Sequence, residues 1–447
     1  GMMQDEKSTL KFSNQKLINI SINKMNDIEF LNVDSVRFLW NTTAKNLSLH
    51  NSKVFLRGIN CENLFINNSS QTYISGLNNL IQNIYNQGFV IFNGLSAQTQ
   101  IKNLINDNDA IWKVENGGNF TIEKSIDNNG EINGCDGTNC NWIFGNSDTI
   151  FIKGKGKLFT PRIISNVPYV VNNNFWEISR EASGNSKIFN HDTIALGANS
   201  NLIQWEVNGK NQMSTVLFNR EGVQNIKAEK LTGFTNIGFV NPGRKIIEKN
   251  IEINGNLTIY KGCEVYLDTY SITSTNNNYN FTISDTASLT IGKINTIENG
   301  GFPNGFKNYN LNINSTVRYQ AMGNQVIKGG INYGNIELNC GAVDSAAFTV
   351  QNGIFKYQGN LNLLKSALTL VIQQDSALFL GDWLGVGNVH LMNTNLYFYG
   401  NGFNTGKLWM DNSKVWYKGD KNQRVKIANY THVIIDKTNN SKALTRG

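Results

Sequence analysis

Proline and histidine are scarce, with four of each in 447 residues. The first excludes a Pro-rich stalk, and the second leaves little imidazole for catalysis or metal binding. No apolar run approaches the roughly 18 residues that a membrane span requires, and 41 glycines without a G-x-y period exclude a collagen-like chain. Charged residues make up only 16%, and the +7 balance of 40 Lys+Arg against 33 Asp+Glu is interleaved with no basic run of five. The clustered footprint of a nucleic-acid binder is therefore missing. Weak attraction to acidic glycans or cell envelopes is as far as the charge argument goes. Five cysteines are too few for a disulfide scaffold. Helix-length amphipathic patterns are nearly absent too.

What is abundant is asparagine, some seventy residues, several times the number of alanines. Asn is poor in helix interiors and good at left-handed turns and side-chain ladders, so the composition suits stacked strands and turns. Apolar residues alternate over four to six positions and are broken by Asn, Gly, Asp or Ser, which is a strand-and-turn signature. Asn46-Leu47-Ser48-Leu49 leads to Lys53-Val54-Phe55-Leu56, and Asn63-Leu64-Phe65-Ile66 opens the same sequence of events, closing with Thr72-Tyr73-Ile74. Later the marker becomes Gly-Asn-apolar-x-apolar, at Gly255-Asn256, Gly334-Asn335, Gly359-Asn360 and Gly387-Asn388. The last three are 25 and 28 residues apart, which fits one coil of a β-solenoid. The expected fold is all-β, a right-handed parallel β-helix of roughly 18–22 coils, about 90–100 Å long at 4.8 Å per coil.

A longer repeat lies over the coils. Val216-Leu217-Phe218, Val317-Arg318-Tyr319 and Val415-Trp416-Tyr417 are each followed at a fixed spacing by a glutamine (Gln224, Gln325, Gln423). Each then has a later aromatic (Phe234, Tyr333, Tyr430) three residues before an apolar residue (Ile237, Ile336, Val433). The Gln is expected to hydrogen-bond the backbone of the adjacent coil, so the motif builds structure. The chain thus divides into N-terminal coils (1–125), an irregular Gly/Asn-rich segment of decorated coils or boundary (126–213), and a solenoid of two full copies and one truncated copy (214–447). The third copy stops at Ala443-Leu444-Thr445-Arg446-Gly447, which reads as a fragment of something longer, and Gly1-Met2-Met3 reads as a remnant outside the fold.

Over 214–447 the string V-x-[YF]-x5-Q-x-[IV], with its later aromatic and G-N-L-x-I, resembles the repeats of large surface-exported proteins of gliding and gut-dwelling Gram-negative bacteria, adhesin-like parallel β-helix proteins. The resemblance implies a location at the outer surface or outside the cell and implies no catalytic residue. Six Asp-Ser/Thr-x sites, at Asp34, Asp148, Asp192, Asp285, Asp344 and Asp375, look like the O-glycosylation acceptors of exported proteins in the same bacteria. Asp-Ser/Thr is equally a favoured turn into a strand.

Enzyme chemistry on such a fold, as a polysaccharide lyase or glycoside hydrolase, needs converging carboxylates or a Lys/Arg base beside acidic Ca²⁺ ligands. The sequence has no Asp-Asp pair, no Gly-His-Gly and no Asn-Thr-Asp. Asp107-Asn108-Asp109 reads as a solvated turn, and His50, His191, His390 and His432 are scattered, with His390 alternating outward. No catalytic residue and no cofactor are therefore expected, save one candidate Ca²⁺ loop at Asp127, Asn129, Glu131, Asn133 and Asp136. Its Gly sits at the wrong offset and its closing bidentate Glu is missing, which leaves a plain Asn/Gly turn as the rival.

Cys135 and Cys140 enclose four residues and suit a local disulfide, with a metal pair as the weaker reading; Cys61, Cys263 and Cys340 read as core. Trp383, Tyr397, Tyr399, Trp409, Trp416 and Tyr417 form a candidate platform for sugar rings or a docking protein. Core filling is an equal rival. The expectation is a non-enzymatic adhesive or structural protein whose partner is a polysaccharide or a surface glycoprotein, with the lyase or hydrolase as the alternative. The ligand and oligomeric state are not legible.

Overall fold

The computed structural model describes residues 9–22, 24–93, 98–135, 140–197, 205–227, 231–233, 235–294, 300–341, 345–402, 406–420, 422–437 and 443–445. The fold is all-β, with parallel strands stacked as a β-solenoid of about 20 turns. By internal contacts it divides into Gly1–Leu217 with Lys230–Thr235, and Phe218–Glu229 with Asn236–Gly447.

In the first unit, each early coil has one long strand and one short one. The long strands Lys24–Leu31, Thr42–His50, Ile59–Ile66, Asn78–Asn86, Gln98–Asn106 and Gly118–Asn128 pair in parallel, coil upon coil. The first five bend at a point where two successive side chains face out, as at Lys45 and Asn46, and Gly118–Asn128 where three do, Glu123, Lys124 and Ser125, so one strand serves two faces. The short strands Val36–Phe38, Lys53–Leu56, Gln71–Ile74, Phe89–Phe92 and Ile111–Val114 form the third.

The described residues within 126–213 continue the same stack, and their irregularity has a physical cause. Strand Lys157–Ser165 pairs first with the short strand Glu131–Asn133 and then with Cys140–Phe144, so the chain now runs unbroken around a different corner. Pro161, buried at that bend, lacks the N–H that a regular ladder would use. The disulfide between Cys135 and Cys140 closes the loop beside it.

The second unit carries the longer repeats. Eight strands from Gln224–Ile226 to Trp383–Gly385 make one parallel sheet. Five from Gln325–Lys328 to Leu408–Asp411 make another, and six from Asn332–Tyr333 to His432–Lys437 a third. Equivalent positions lie 17 residues apart at Asn46 and Asn63 in the first unit and 28 apart at Asn280 and Asn308 in the second.

The asparagines do what the composition implies. Eight of the twelve described non-glycine residues with positive φ are Asn, the residue that best tolerates the left-handed region after glycine. Turn residues Asn14, Asn32 and Asn51 bond in series, at 3.3 and 2.9 Å. The Gly-Asn marker resolves into two functions. A Cβ at Gly359 would lie 2.3 Å from Asn335 Oδ1, so glycine lets the coils approach. Asn335 Oδ1 accepts the Asn360 backbone N–H at 2.8 Å, and Asn388 Oδ1 accepts that of Lys407 at 2.8 Å.

The repeat glutamine behaves as the spacing predicts at Gln423, whose buried Nε2 donates to the carbonyls of Phe398 (3.0 Å) and Gly400 (2.8 Å) one coil back. The paired aromatics explain the rest of the motif. Tyr319 and Tyr333 join hydroxyls at 2.8 Å, as do Tyr417 and Tyr430. The sequence of the first copy has phenylalanine at both positions, Phe218 and Phe234, so no hydroxyl there calls for a partner.

Candidate binding surface

Alternation decides which aromatics face out. On strand Lys414–Gly419, Val415 and Tyr417 point inward while Trp416 points outward. Trp416 is in register with Tyr397 of the preceding coil, and their rings stack at 5.9 Å with an interplanar angle of 26°. Lys418 Nζ lies 5.7 Å from the Tyr397 ring and 5.3 Å from the Trp416 ring, and is held there by Asp436 Oδ2 at 3.1 Å. That hydrogen bond raises the Lys418 pKa above its ordinary value, so the amine stays charged. Tyr399 follows at the end of the Tyr397 strand, exposed.

Two members of the expected platform, Trp383 and Tyr417, face the core and not the surface. Trp383 is fully buried because it stands in register with Leu361, itself aligned with core Ile336 and Val317. Tyr417 is fully buried because it continues the inward column of Phe379 and Phe398. The remaining four do not share one face either. Trp409 lies on strand Leu408–Asp411 of the five-stranded sheet, whereas Tyr397 and Trp416 lie on the six-stranded one. The chain turns between the two at Asn393, whose φ is 51°.

The face bearing Trp409 holds a pair that sequence spacing did not suggest. His390 faces outward, its ring 6.2 Å from that of Trp409, and its Nε2 lies 2.7 Å from Asp411 Oδ2. The partners are 21 residues apart, so only the coil register could have revealed them. A second unforeseen group is Lys245, turned into the core in register with Gln224. Burial lowers its pKa, and its Nζ donates to the Arg220 carbonyl, so it is tied to the backbone.

Stacked outward pairs recur in the first unit. Phe55 and Tyr73 stack at 4.7 Å with Lys53 Nζ 5.4 and 5.1 Å from the two rings. Tyr169 and Phe189 stack at 5.8 Å with Lys210 Nζ 4.5 Å from Phe189. Phe65 and Tyr85 stack at 4.8 Å. The first-unit pairs escaped the sequence reading because the partners are far apart in the chain and meet only through register.

Asp107 accepts the Asn108 N–H at 2.9 Å, and Asp109 has φ 61°, a turn as expected. Asp127 is in register with Lys153, and Glu131, on the next face, with Lys157. Asn129 Oδ1 accepts the Lys155 N–H at 3.2 Å, and Asn133 is in register with Phe159. These four therefore sit on two faces and a turn between them, and Asp136 lies outside the described residues. Other outward carboxylates oppose bases one coil away: Glu29 with Lys11, Glu181 with Arg162, Glu206 with Lys187, Glu264 with Arg244 and Glu337 with Arg318. At the surface each such pair contributes about 0–1 kcal/mol. The Asp-Ser/Thr sites mark strand starts at Val36, Thr149, Thr193 and Ser376, and Asp192 Oδ1 accepts the Thr193 N–H at 2.7 Å. Asp344 lies outside the described residues.

Cys61, Cys263 and Cys340 are buried and free. Burial pushes the Cys61 thiol up to about 12 and the Cys263 thiol up to about 11, so neither presents a thiolate near neutral pH. Iodoacetamide is expected to spare the native protein at pH 8. In denaturant without reductant it should add to three thiols, and after reduction to all five cysteines. Intact mass reads the count, and a fourth adduct before reduction would contradict the disulfide.

Compared with known proteins, the sequence matches no family model and no curated protein, and the fold matches no solved structure.

Proposed function

We propose that the chain is a non-enzymatic adhesive or structural protein of the cell surface or extracellular space, which binds glycans or glycoproteins through side chains repeated from coil to coil. The observation that carries this reading is the stacked outward pair Tyr397–Trp416 beneath Lys418, with its counterparts at Phe55–Tyr73 and Tyr169–Phe189. An aromatic face suits the apolar side of a sugar ring, and a neighbouring ammonium suits its hydroxyls or carboxylate. Catalysis concentrates its groups in one cleft; here the ring pairs stand on separate faces, an arrangement that suits several separate weak contacts. The acid–base pairing of outward carboxylates supports the same reading, since a carboxylate held by a coil neighbour serves the stack.

The test is incubation of the full chain with acidic and neutral polysaccharides, with and without Ca²⁺, following retention, reducing ends and unsaturated products together. Retention without cleavage is expected, and Tyr397→Ala/Trp416→Ala should weaken retention roughly tenfold or more if each ring contributes about 1 kcal/mol. Release of reducing ends or unsaturated products would overturn the non-enzymatic reading, and unchanged retention by the double variant would remove the aromatic surface from it.

A further inference from the structure

A groove on the first unit has a different chemistry from the aromatic pairs. Two adjoining hollows of about 630 and 430 Å³ share Thr43 and Asn60. Together they follow one column of in-register residues, Lys24, Thr43, Asn60, Leu80, Gln100 and Thr121. Five strand spacings of about 4.8 Å make that column about 24 Å long, and one step is comparable to a pyranose ring in an extended chain.

Beside this column, the neighbouring asparagines of the same strands behave differently. Asn46, Asn63, Asn83 and Asn103 bond one another in series at 2.7, 2.9 and 2.8 Å, which satisfies their amides. The exposed side-chain amides of Asn60, Gln82, Gln98 and Gln100 make no hydrogen bond within the described protein. Beneath them the floor is fixed: Asn79 is buried, its Oδ1 accepts the Ile59 N–H and its Nδ2 donates to Thr99 Oγ1, both at 3.1 Å.

We propose that this groove binds a single extended strand of a neutral, hydroxyl-rich polysaccharide, lying along the stack with about one sugar per coil. Each free amide offers both a donor and an acceptor, the pair that vicinal hydroxyls use. Exposed Leu80 gives a ring its apolar contact at mid-column. The second hollow, which holds Asn60, Gln98 and Gln100, carries no charged side chain and so offers an acidic polymer no counter-charge where these amides lie. A peptide strand finds no edge to extend, since the backbone of the floor is already engaged in the parallel ladders. The site is independent of the aromatic pairs and shares with the proposed function only the class of partner.

Calorimetric titration of the full chain with cellohexaose, laminarihexaose, mannohexaose and hexagalacturonate tests it. At least one neutral hexamer is expected to bind, equally at low and high salt, and its trimer at least tenfold more weakly. Asn60→Ala/Gln100→Ala should weaken binding tenfold or more at an unchanged thermal midpoint, whereas Tyr397→Ala/Trp416→Ala should leave it intact. No heat with any neutral hexamer, heat with hexagalacturonate alone, or a groove variant that binds like the parent would each overturn the proposal. Loss of binding in the aromatic variant alone would leave the aromatic surface standing without the groove.

Discussion

Trp176→Ala is expected to destabilise the first unit by about 3–5 kcal/mol, the range for emptying a large aromatic site in a packed core. The indole is fully buried, with the Phe144 ring 5.6 Å away on one side and the Trp205 ring 5.9 Å away on the other. Its Nε1 donates to the buried hydroxyl of Thr160 at 2.8 Å. Truncation therefore removes two ring contacts and one hydrogen bond from a column that neighbouring coils cannot collapse to fill, because their strand spacing is fixed by the ladders. Trp176→Phe retains most of the area and is expected to cost far less. Trp409→Ala, at a position 42% exposed, should stay within about 0.5 kcal/mol. Urea unfolding followed by far-ultraviolet circular dichroism reads all three. Equal losses for Trp176→Ala and Trp409→Ala would contradict the inward and outward assignment of these columns.

That contrast marks how far the chain can be read before its structure is known. Coils, turns and the inward face of each strand are local properties, set by alternation and by Asn and Gly at turns, so the parallel β-solenoid was legible. The Gln423 bond to the preceding coil was legible as well, because three copies hold the residue at one spacing. Convergence was not. Whether Tyr397 meets Trp416 or Trp409 depends on where each coil turns and on coil length, and both vary along this chain. Trp383 was misplaced for the same reason: its neighbours Asp382 and Leu384 leave its direction open until register with Leu361 fixes it. The His390–Asp411 pair and the unpaired amides of the groove are properties of columns across coils, which a one-dimensional pattern does not display.

The second large effect concerns a column that asparagine occupies inside the core. Asn86, Asn106 and Asn128 are fully buried and in register, with Asn86 Nδ2 donating to Asn106 Oδ1 at 2.7 Å and Asn106 Nδ2 donating to Asn128 Oδ1 at 2.8 Å. The same Nδ2 faces the carbonyls of Ala110 and Glu131 at 3.2 and 3.3 Å. In Asn106→Asp, the oxygen replacing Nδ2 meets three acceptors with no proton to share, so burial and these oxygens both favour the protonated acid and raise its folded pKa above the unfolded value of about 3.9. A carboxyl whose pKa is raised by folding contributes fully below the unfolded pKa and loses that contribution as pH rises through the folded one. The variant should therefore lie nearest the parent at about pH 4 or below. It should fall progressively behind as pH rises, by about 2–4 kcal/mol at neutral pH, where a buried donor has become an unpaired charge. Asn106→Leu, which has no titrating group, should show a loss independent of pH. Thermal midpoints of parent and both variants across pH 4 to 8 measure the gap, and a gap for Asn106→Asp that stays flat or narrows toward neutral pH would mean that the amide at this position is not enclosed by the oxygens that the register assigns to it.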